Sequence, residues 1–374
     1  METLSAAGKT DMSNESAKPK RLRKILLIIA AVCVVLVAAE AALILHYLNL
    51  INYEKESGVE PAVVPEEALS NADDAGKHPM ILEYEQYLEA NKKEDINVDY
   101  AFPKDVFNVL LIGLDNRSAG NVDRGRTDSM IVVSVNRSTK KIVLTSLLRD
   151  SYVQIPGIGN DRLNSAYVYG GAQLLFDTIE QNYKIPLENY ALVDFFSFID
   201  AVDAIGGIDL EITEAEAYYI NDFINVEYYE LAGDLGIDVA ANMLPSGTSG
   251  LTHLNGLQAL SYARNRSIGA DFGRTERQRK VIVAALEKMR YMDLSQLNDL
   301  AEIVLPSITT NMSRSDVLGL LSHAPEYLSY DKISLRLPTN ETMWEAMINE
   351  MSVVCANYKA NFDYWYAEVY GPGA

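Results

Sequence analysis

Residues 106–149 read VFNVLLIGLDNRSAGNVDRGRTDSMIVVSVNRSTKKIVLTSLLR. Three apolar runs of strand length lie in it: Val106 to Leu114, Met130 to Val135 and Ile142 to Leu148. The first stops at Asp115, the second runs into a turn over Asn136 to Lys140, and the third stops at Arg149. If the second strand returns antiparallel to the first and the third goes out again, Asp115, Asp128 and Arg149 gather at one end of the sheet. The loop joining the first two runs adds Arg117, Arg124 and Arg126 to the same edge.

Downstream, strand-like and helix-like patterns alternate. Asp161 to Gly171 is a polar loop or helix start, followed by a helix through Leu175, Ile179 and Tyr183. Tyr190 to Asp194 reads as a strand. Phe198, Ile199, Val202 and Ile205 form a helical stripe that Gly206-Gly207 ends, and Ile208 to Ile212 is another strand. Glu214 to Pro245 is acidic, tyrosine-rich and predicted helical, and Asn255 to Ala263 is a short helix. Such alternation predicts a layered α/β domain with a mixed sheet.

That short helix delivers the chain into YARNRSIGADFGRTERQRK, residues 262–280. From Ile185 to Ala263 there is no Lys or Arg. Then Arg264, Arg266, Arg274, Arg277, Arg279 and Lys280 arrive together, in a chain of formal charge -20. With a helix starting near Gly273, Arg274 and Gln278 head the apolar stripe of Ile282, Ala285 and Met289, so a cation sits at the head of a buried stripe and needs a partner. Arg279 and Lys280 fall on another face and read as solvated. Guanidiniums stay ionised and grip two oxygens at once, which suits phosphate. Arg126, Arg149, Arg162, Arg264, Arg266, Arg274 and Arg277 with Gln278 are therefore the candidate anion pocket. Asp115 and Asp128, with no Cys or His close by, suit a hard cation such as Mg²⁺. A salt-bridge or loop-cap role for each aspartate, and a plain ion-pair network for the arginines, are the bland alternatives.

At 374 residues and 48% hydrophobic content the chain can hold a domain of roughly 250 residues plus accessory parts. Its acidity excludes general nucleic-acid binding, which needs a basic face. The two cysteines, Cys33 and Cys355, offer no disulfide framework. Residues 1–24 are polar and end in Lys18, Lys20, Arg21, Arg23 and Lys24, directly before an apolar run over 25–45, long enough to cross a bilayer as a helix. The basic flank puts the N-terminus in the cytoplasm and the rest outside, as a single-pass type II membrane protein. A cleaved signal peptide is the alternative, because Ala39-Glu40-Ala41 resembles a cleavage site; both readings export the domain. Residues 46–104 form an acidic tether with a short helix around Met80 to Leu88 that docks on the domain. Residues 105–290 form the core and 291–374 its structural completion.

The motifs NVLLIGLDNR, RTDSMIVVSVN, LTSLLRDSYVQIPG, RLNSAYVYGG, VDFFSFIDAVDAIGGIDL, HLNGLQALSYARNR and DFGRTERQRKVI, in this order, resemble the LytR-CpsA-Psr family. The resemblance implies a three-layer α/β/α domain with a central mixed β-sheet, preceded by one N-terminal transmembrane helix. It implies a phosphotransferase that moves a glycopolymer, such as teichoic acid or capsule, from undecaprenyl pyrophosphate to peptidoglycan with Mg²⁺, or Mn²⁺ as the alternative cation. Under it, Asp115 and Asp128 match the metal-associated aspartates. Arg126, Arg149, Arg264, Arg266 and Gln278 match the pyrophosphate grips, and Arg162 stands where the family often has Lys. Arg274 and Arg277 are the basic positions of the last motif and Asp271 its leading acid. LLRD stands where Ile-Pro-Arg-Asp is usual. Phe195, Phe198, Ile199 and Val202, a core stripe by spacing alone, become candidate lipid-binding residues. Arg149, Asp115 and Asp271 are the candidate catalytic residues, with the general base left between the two aspartates or dispensed with. The rival readings are a pyrophosphatase acting on the same lipid and a non-catalytic polyprenyl-phosphate-binding regulator.

Overall fold

The computed structural model describes residues 42–54, 79–93, 100–114, 127–226 and 238–371. In chain order the elements are β1 (Asn52–Tyr53), α1 (Pro79–Lys93), β2 (Val106–Leu114), β3 (Thr127–Asn136), β4 (Lys141–Leu147), β5 (Tyr152–Ile155), β6 (Gly159–Arg162), α2 (Leu163–Tyr183), β7 (Asn189–Asp194), α3 (Phe195–Ala204), β8 (Ile208–Ile212), α4 (Glu214–Val226), β9 (Gly250–Leu254), α5 (Gly256–Arg264), α6 (Ala270–Met289), α7 (Leu294–Val304), β10 (Thr309–Thr310), α8 (Arg314–Leu328), β11 (Asp331–Leu337), β12 (Met343–Ile348), β13 (Met351–Ala356) and α9 (Tyr358–Tyr370). Contacts divide the chain into a unit up to Asn49 and a unit from Leu50 to Ala374. In the first, residues 42–49 are helical. Most of the expected membrane span, 25–41, lies outside the described residues, and among those described no helix is long and apolar enough to cross a membrane.

The main sheet of the second unit runs β1-β10-β7-β2-β3-β4-β11. β2, β3 and β4 pair antiparallel in sequence, as their apolar runs predict. β7 joins β2 and β11 joins β4 in parallel, so the sheet is mixed. Alternation along the strands sorts side chains to two faces. Leu110, Ile112, Met130, Val132, Val143 and Leu147 face a core closed by α1, α2 and α9, with Leu88, Tyr183, Phe362 and Trp365 fully buried in it. Ile131, Ile142 and Leu144 face the other way, against Ile282 and Val283 of α6 and Tyr330 after α8. Helices thus cover both faces. Complete burial of side chains this size is worth about 1.5–3 kcal/mol each.

A second core packs α3, α4 and α5 with the β8–β9 ribbon through Ile199, Val202, Ile208, Ile220, Leu257 and Leu260. The docking helix expected around Met80 to Leu88 is α1. Tyr84 is buried at 4% exposure, its hydroxyl accepts from the Ala356 amide at 2.8 Å, and Asn91 donates to the Asn182 carbonyl at 2.9 Å. Two departures stand out. The β5–β6 hairpin and strand β9 were not expected from the sequence, and the helical reading of Glu214 to Pro245 holds only for α4 and a single turn at Ala240–Asn242 among the described residues. Residues 291–374, expected to complete the domain, supply sheet strand β11 and, through α9, much of the first core.

Candidate functional site

At the edge where β3 begins and β4 ends, Asp128 and Arg149 meet as the strand order requires. Arg149 donates from Nη1 to Asp128 Oδ1 at 2.8 Å and from Nε to Asp271 Oδ2 at 3.1 Å. Asp271 lies in the first turn of α6, which begins at Ala270, three residues earlier than Gly273, with Gly269 as its left-handed N-cap. A carboxylate there complements the positive end of the helix dipole, and an anionic ligand at the same end gains likewise. Arg266 spans both aspartates, 3.3 Å from Asp128 and 3.6 Å from Asp271. Arg274 does the same from beneath, at 3.7 and 3.4 Å, with its side chain only 3% exposed.

Around this centre lie Asp150, 3.4 Å from Arg149 Nε, and Arg162, whose Nε is 3.4 Å from Asp150 and whose Nη2 donates to the Ser352 carbonyl at 2.7 Å. Gln278 accepts from the Ser129 hydroxyl at 3.2 Å, which leaves its amide nitrogen as a donor. Four guanidiniums are thus interleaved with three carboxylates.

The electrostatics keep the centre charged. Burial lowers Arg274 to about 10, against the pull of Asp271 and with a further push from Arg266 and Arg149, so it stays a cation at neutral pH. Burial also opposes ionisation of Arg149, but Asp271, Asp150 and Asp128 outweigh it and raise the group above its ordinary value. For Asp271 burial works upward, and Arg274 and Arg149 overcome it, holding the carboxyl below the ordinary carboxylate range. Asp150 goes the other way: burial and its hydrogen bond with Asp271 raise it, in spite of Arg149 and Arg162.

The remaining expected grips are placed differently. Arg277 is buried and donates to the carbonyls of Asn265 at 2.6 Å and Ile268 at 2.7 Å, with Glu216 at 3.6 Å and the Tyr262 ring beneath it. Its donors hold the 265–269 loop that carries Arg266. Gly273 makes room for this, since a Cβ there would lie 2.3 Å from the Ile268 carbonyl oxygen and 3.2 Å from the Arg277 guanidinium. Arg264, in the last turn of α5, places its guanidinium 5.3 Å from the centre of the Phe223 ring. Arg279, read from the sequence as solvated, is 7% exposed and donates to Ser146 at 2.7 Å; Lys280 is half exposed beside Glu276. The correction for Arg279 follows from α6 being covered on two sides, by the sheet and by the second core.

Asp115 and Arg126 lie outside the described residues. Of the apolar candidates, Ile199 and Val202 are buried in the second core and Phe198 packs partly buried against it; the side chain of Phe195 is not among those described. Asp150 and Ser129 are site residues that the reading of the sequence passed over, although Asp150 follows Arg149 directly. As a cation site, Asp128 offers oxygen donors of the right kind, but three guanidiniums already address Oδ1. No group of three metal-binding side chains occurs among the described residues. A hard cation there requires a second carboxylate or ligand oxygens, the role expected of Asp115.

The LytR_cpsA_psr family model matches residues 79–366. The polyisoprenyl-teichoic acid–peptidoglycan teichoic acid transferase TagU of Enterococcus faecalis is 36% identical over 228 residues, covering 60% of this chain and 65% of that relative. TagT bound to LI-WTA superposes with a TM-score of 0.55 at 25% identity, over 72% of this chain and 92% of its own. The Bacillus subtilis protein YwtF (TagT) with bound octaprenyl pyrophosphate lipid gives a TM-score of 0.51 at 25% identity with the same coverage. The match runs through every element that builds the arginine–aspartate cluster, and the chain belongs to the LytR-CpsA-Psr family.

Proposed function

We propose that this protein is a membrane-anchored phosphotransferase that moves a glycopolymer, of the teichoic acid or capsule kind, from undecaprenyl pyrophosphate to peptidoglycan on the outer side of the cell membrane. The observation that carries this is the cluster of Arg149, Arg266 and Arg274 around Asp128 and Asp271 at the N-terminus of α6. The names of the relatives support it: a teichoic acid transferase at 36% identity and a lipid-pyrophosphate complex of the same fold. The basic flank and apolar run over 18–45 support the anchor and the external domain.

In the reaction a sugar hydroxyl of peptidoglycan attacks the phosphorus that carries the glycan. The new P–O bond forms as the bridging P–O bond breaks, the electron pair leaves with polyprenyl phosphate, and the hydroxyl proton is released. Phosphoryl transfer asks the protein mainly for positioning and for neutralisation of charge on the equatorial and leaving oxygens. Arg149, Arg266 and Arg274 supply that, with Arg162 at the rim and the Gln278 amide as a further donor. Their carboxylate partners hold the forks in place before substrate arrives, so little reorganisation accompanies binding. Asp271, held below the ordinary carboxylate range, serves better as this anchor than as a proton acceptor. Asp128, with Asp115, would hold Mg²⁺ or Mn²⁺; a bound cation supplies further neutralisation of phosphate charge. Ile199, Val202 and Phe198 on α3 would flank the polyprenyl chain.

The test uses the full chain in liposomes with a synthetic polyprenyl-pyrophosphate-linked glycan and peptidoglycan oligomers. Covalent glycan–peptidoglycan product is expected, abolished in Arg149→Ala and in Asp115→Ala while both remain folded. Free glycan phosphate as the product would turn the reading into a pyrophosphatase, and unchanged transfer in both variants would sink it.

A further inference from the structure

Beside the cluster, on the far side from α3, lies a second pair of guanidiniums. Arg279 and Arg336 meet on the α6 face of the sheet, where Arg336 of β11 is the register partner of Ser146 of β4. Ser146 accepts from Arg279 Nη1 at 2.7 Å. Arg336 stacks over Phe272, its guanidinium carbon 4.4 Å from the ring centre, and is aimed by bonds to the Pro338 carbonyl at 3.3 Å and Asn340 at 2.5 Å. Phe272, Glu276 and Arg279 follow at i, i+4 and i+7 on α6, a row parallel to that of Asp271, Arg274 and Gln278. Both rows start at the same helix end.

This pair lacks the partners that the first cluster has. Among the described residues neither guanidinium forms an ion pair, and the Nε of Arg279 is buried with no hydrogen-bond partner. Burial lowers both: Arg279 falls to about 10, with Glu276 opposing and Arg336 adding to the fall, and Arg336 is lowered by burial against the pull of Glu341 and Glu276. The carboxylates within reach are engaged or exposed, Glu276 in an ion pair with Lys280 at 2.8 Å and Glu341 at the surface, so the two like charges are left under-compensated and an anion that joins them is favoured.

Sheet order tells which substrate brings that anion. Along the site edge the order is β7, from which the lipid-flanking α3 springs, then β2, β3 with Asp128, β4 with Arg149, and β11 with Arg336. In an in-line displacement the nucleophile enters opposite the leaving group. Polyprenyl phosphate departs toward β7, so the acceptor comes in from the β11 side. We propose that Arg336, stacked on Phe272 and backed by Arg279, is the acceptor subsite and binds a carboxylate of the peptide-substituted glycan strand that supplies the hydroxyl.

This rests on the transferase reading above, and the test separates the two. The full chain in liposomes is given a lipid donor with an uncharged disaccharide, and either a muramoyl-peptide oligosaccharide with free carboxylates or the same oligosaccharide with those groups amidated. Arg336→Gln is expected to raise KM about tenfold for the carboxylated acceptor, the loss of one charge-assisted hydrogen bond. The amidated acceptor and the donor KM should be unchanged. An equal effect on both acceptors, or no effect on either, would overturn the proposal. A rise in donor KM would also overturn it, by giving the pair to donor phosphate. If the wild-type protein transfers nothing, calorimetric binding of the carboxylated oligosaccharide alone, wild type against Arg336→Gln and Arg336→Lys, still decides the subsite. Partial rescue by Lys with an unchanged melting temperature is expected, and identical binding in all three would refute it.

Discussion

Arg149→Lys tests whether the site works by fork geometry or by charge alone. The guanidinium reaches Asp128 from Nη1 at 2.8 Å and Asp271 from Nε at 3.1 Å, two directions fixed by one rigid plane. An ammonium keeps the charge but can follow only one of them. The lost contact is a charge-assisted hydrogen bond at a side chain about one-fifth exposed, worth about 1.5–3 kcal/mol. If the same fork serves pyrophosphate in the transition state, kcat/KM for transfer falls roughly ten- to hundredfold, at about 1.36 kcal/mol per decade. The substitution has a second signature. Asp271 is held low by Arg274 and Arg149, so weakening Arg149 moves its pKa upward. A carboxyl depressed in the folded state contributes stability that is present above its unfolded value and lost as pH falls through its folded value. The variant should therefore lose stability on acidification at a higher pH than the wild type. Transfer assays with the full chain and melting curves across acidic pH check both. Activity within twofold of wild type would refute the geometric argument, leaving Arg149 as a point charge.

Three further outcomes follow from the geometry. Gly273→Ala drives a Cβ to 2.3 Å from the Ile268 oxygen and against Arg277, so it should cost about 1–3 kcal/mol in denaturant unfolding; a neutral result would show that the loop yields freely. Tyr84→Phe leaves the Ala356 amide without its 2.8 Å acceptor in a buried place and should cost about 1–3 kcal/mol, read as a lower midpoint of unfolding at unchanged fold. Asp150 is raised above its ordinary value of 3.8, so the folded state holds its proton more tightly and stability falls as pH rises from that value through the folded one. Asp150→Asn should flatten this part of the stability–pH curve, and an unchanged slope would assign it to another group.

What could be read from the sequence was whatever a short-range pattern dictates. The apolar runs of β2, β3 and β4 have strand length, and their antiparallel order alone brings Asp128 and Arg149 to one edge. Gly206-Gly207 stops α3, and Asn255 caps α5 with a reciprocal Gln258 bond, both local chemistry. The β8–β9 ribbon was half visible, because Gly250–Leu254 has no strong strand pattern and is ordered by its partner. The arginines of α6 divide along the same line. Spacing marks Arg274 as buried, yet it cannot tell which carbonyls will take the donors of Arg277, or that a helix closed on two sides also buries Arg279. This burial has a functional consequence. The span without Lys or Arg, Ile185 to Ala263, contains α3, β8, α4, β9 and nearly all of α5, so these elements bring no cation of their own to the flank proposed for the lipid, and Lys288 of α6 is held at the Gly206 carbonyl, 2.9 Å away, beyond the C-terminal end of α3. On the proposed reading, a pyrophosphate entering from that side would meet no basic residue of this span before Arg264 and the guanidiniums that follow it. In a chain of charge -20 that confinement, more than the number of arginines, is what gives the head group one place to stop.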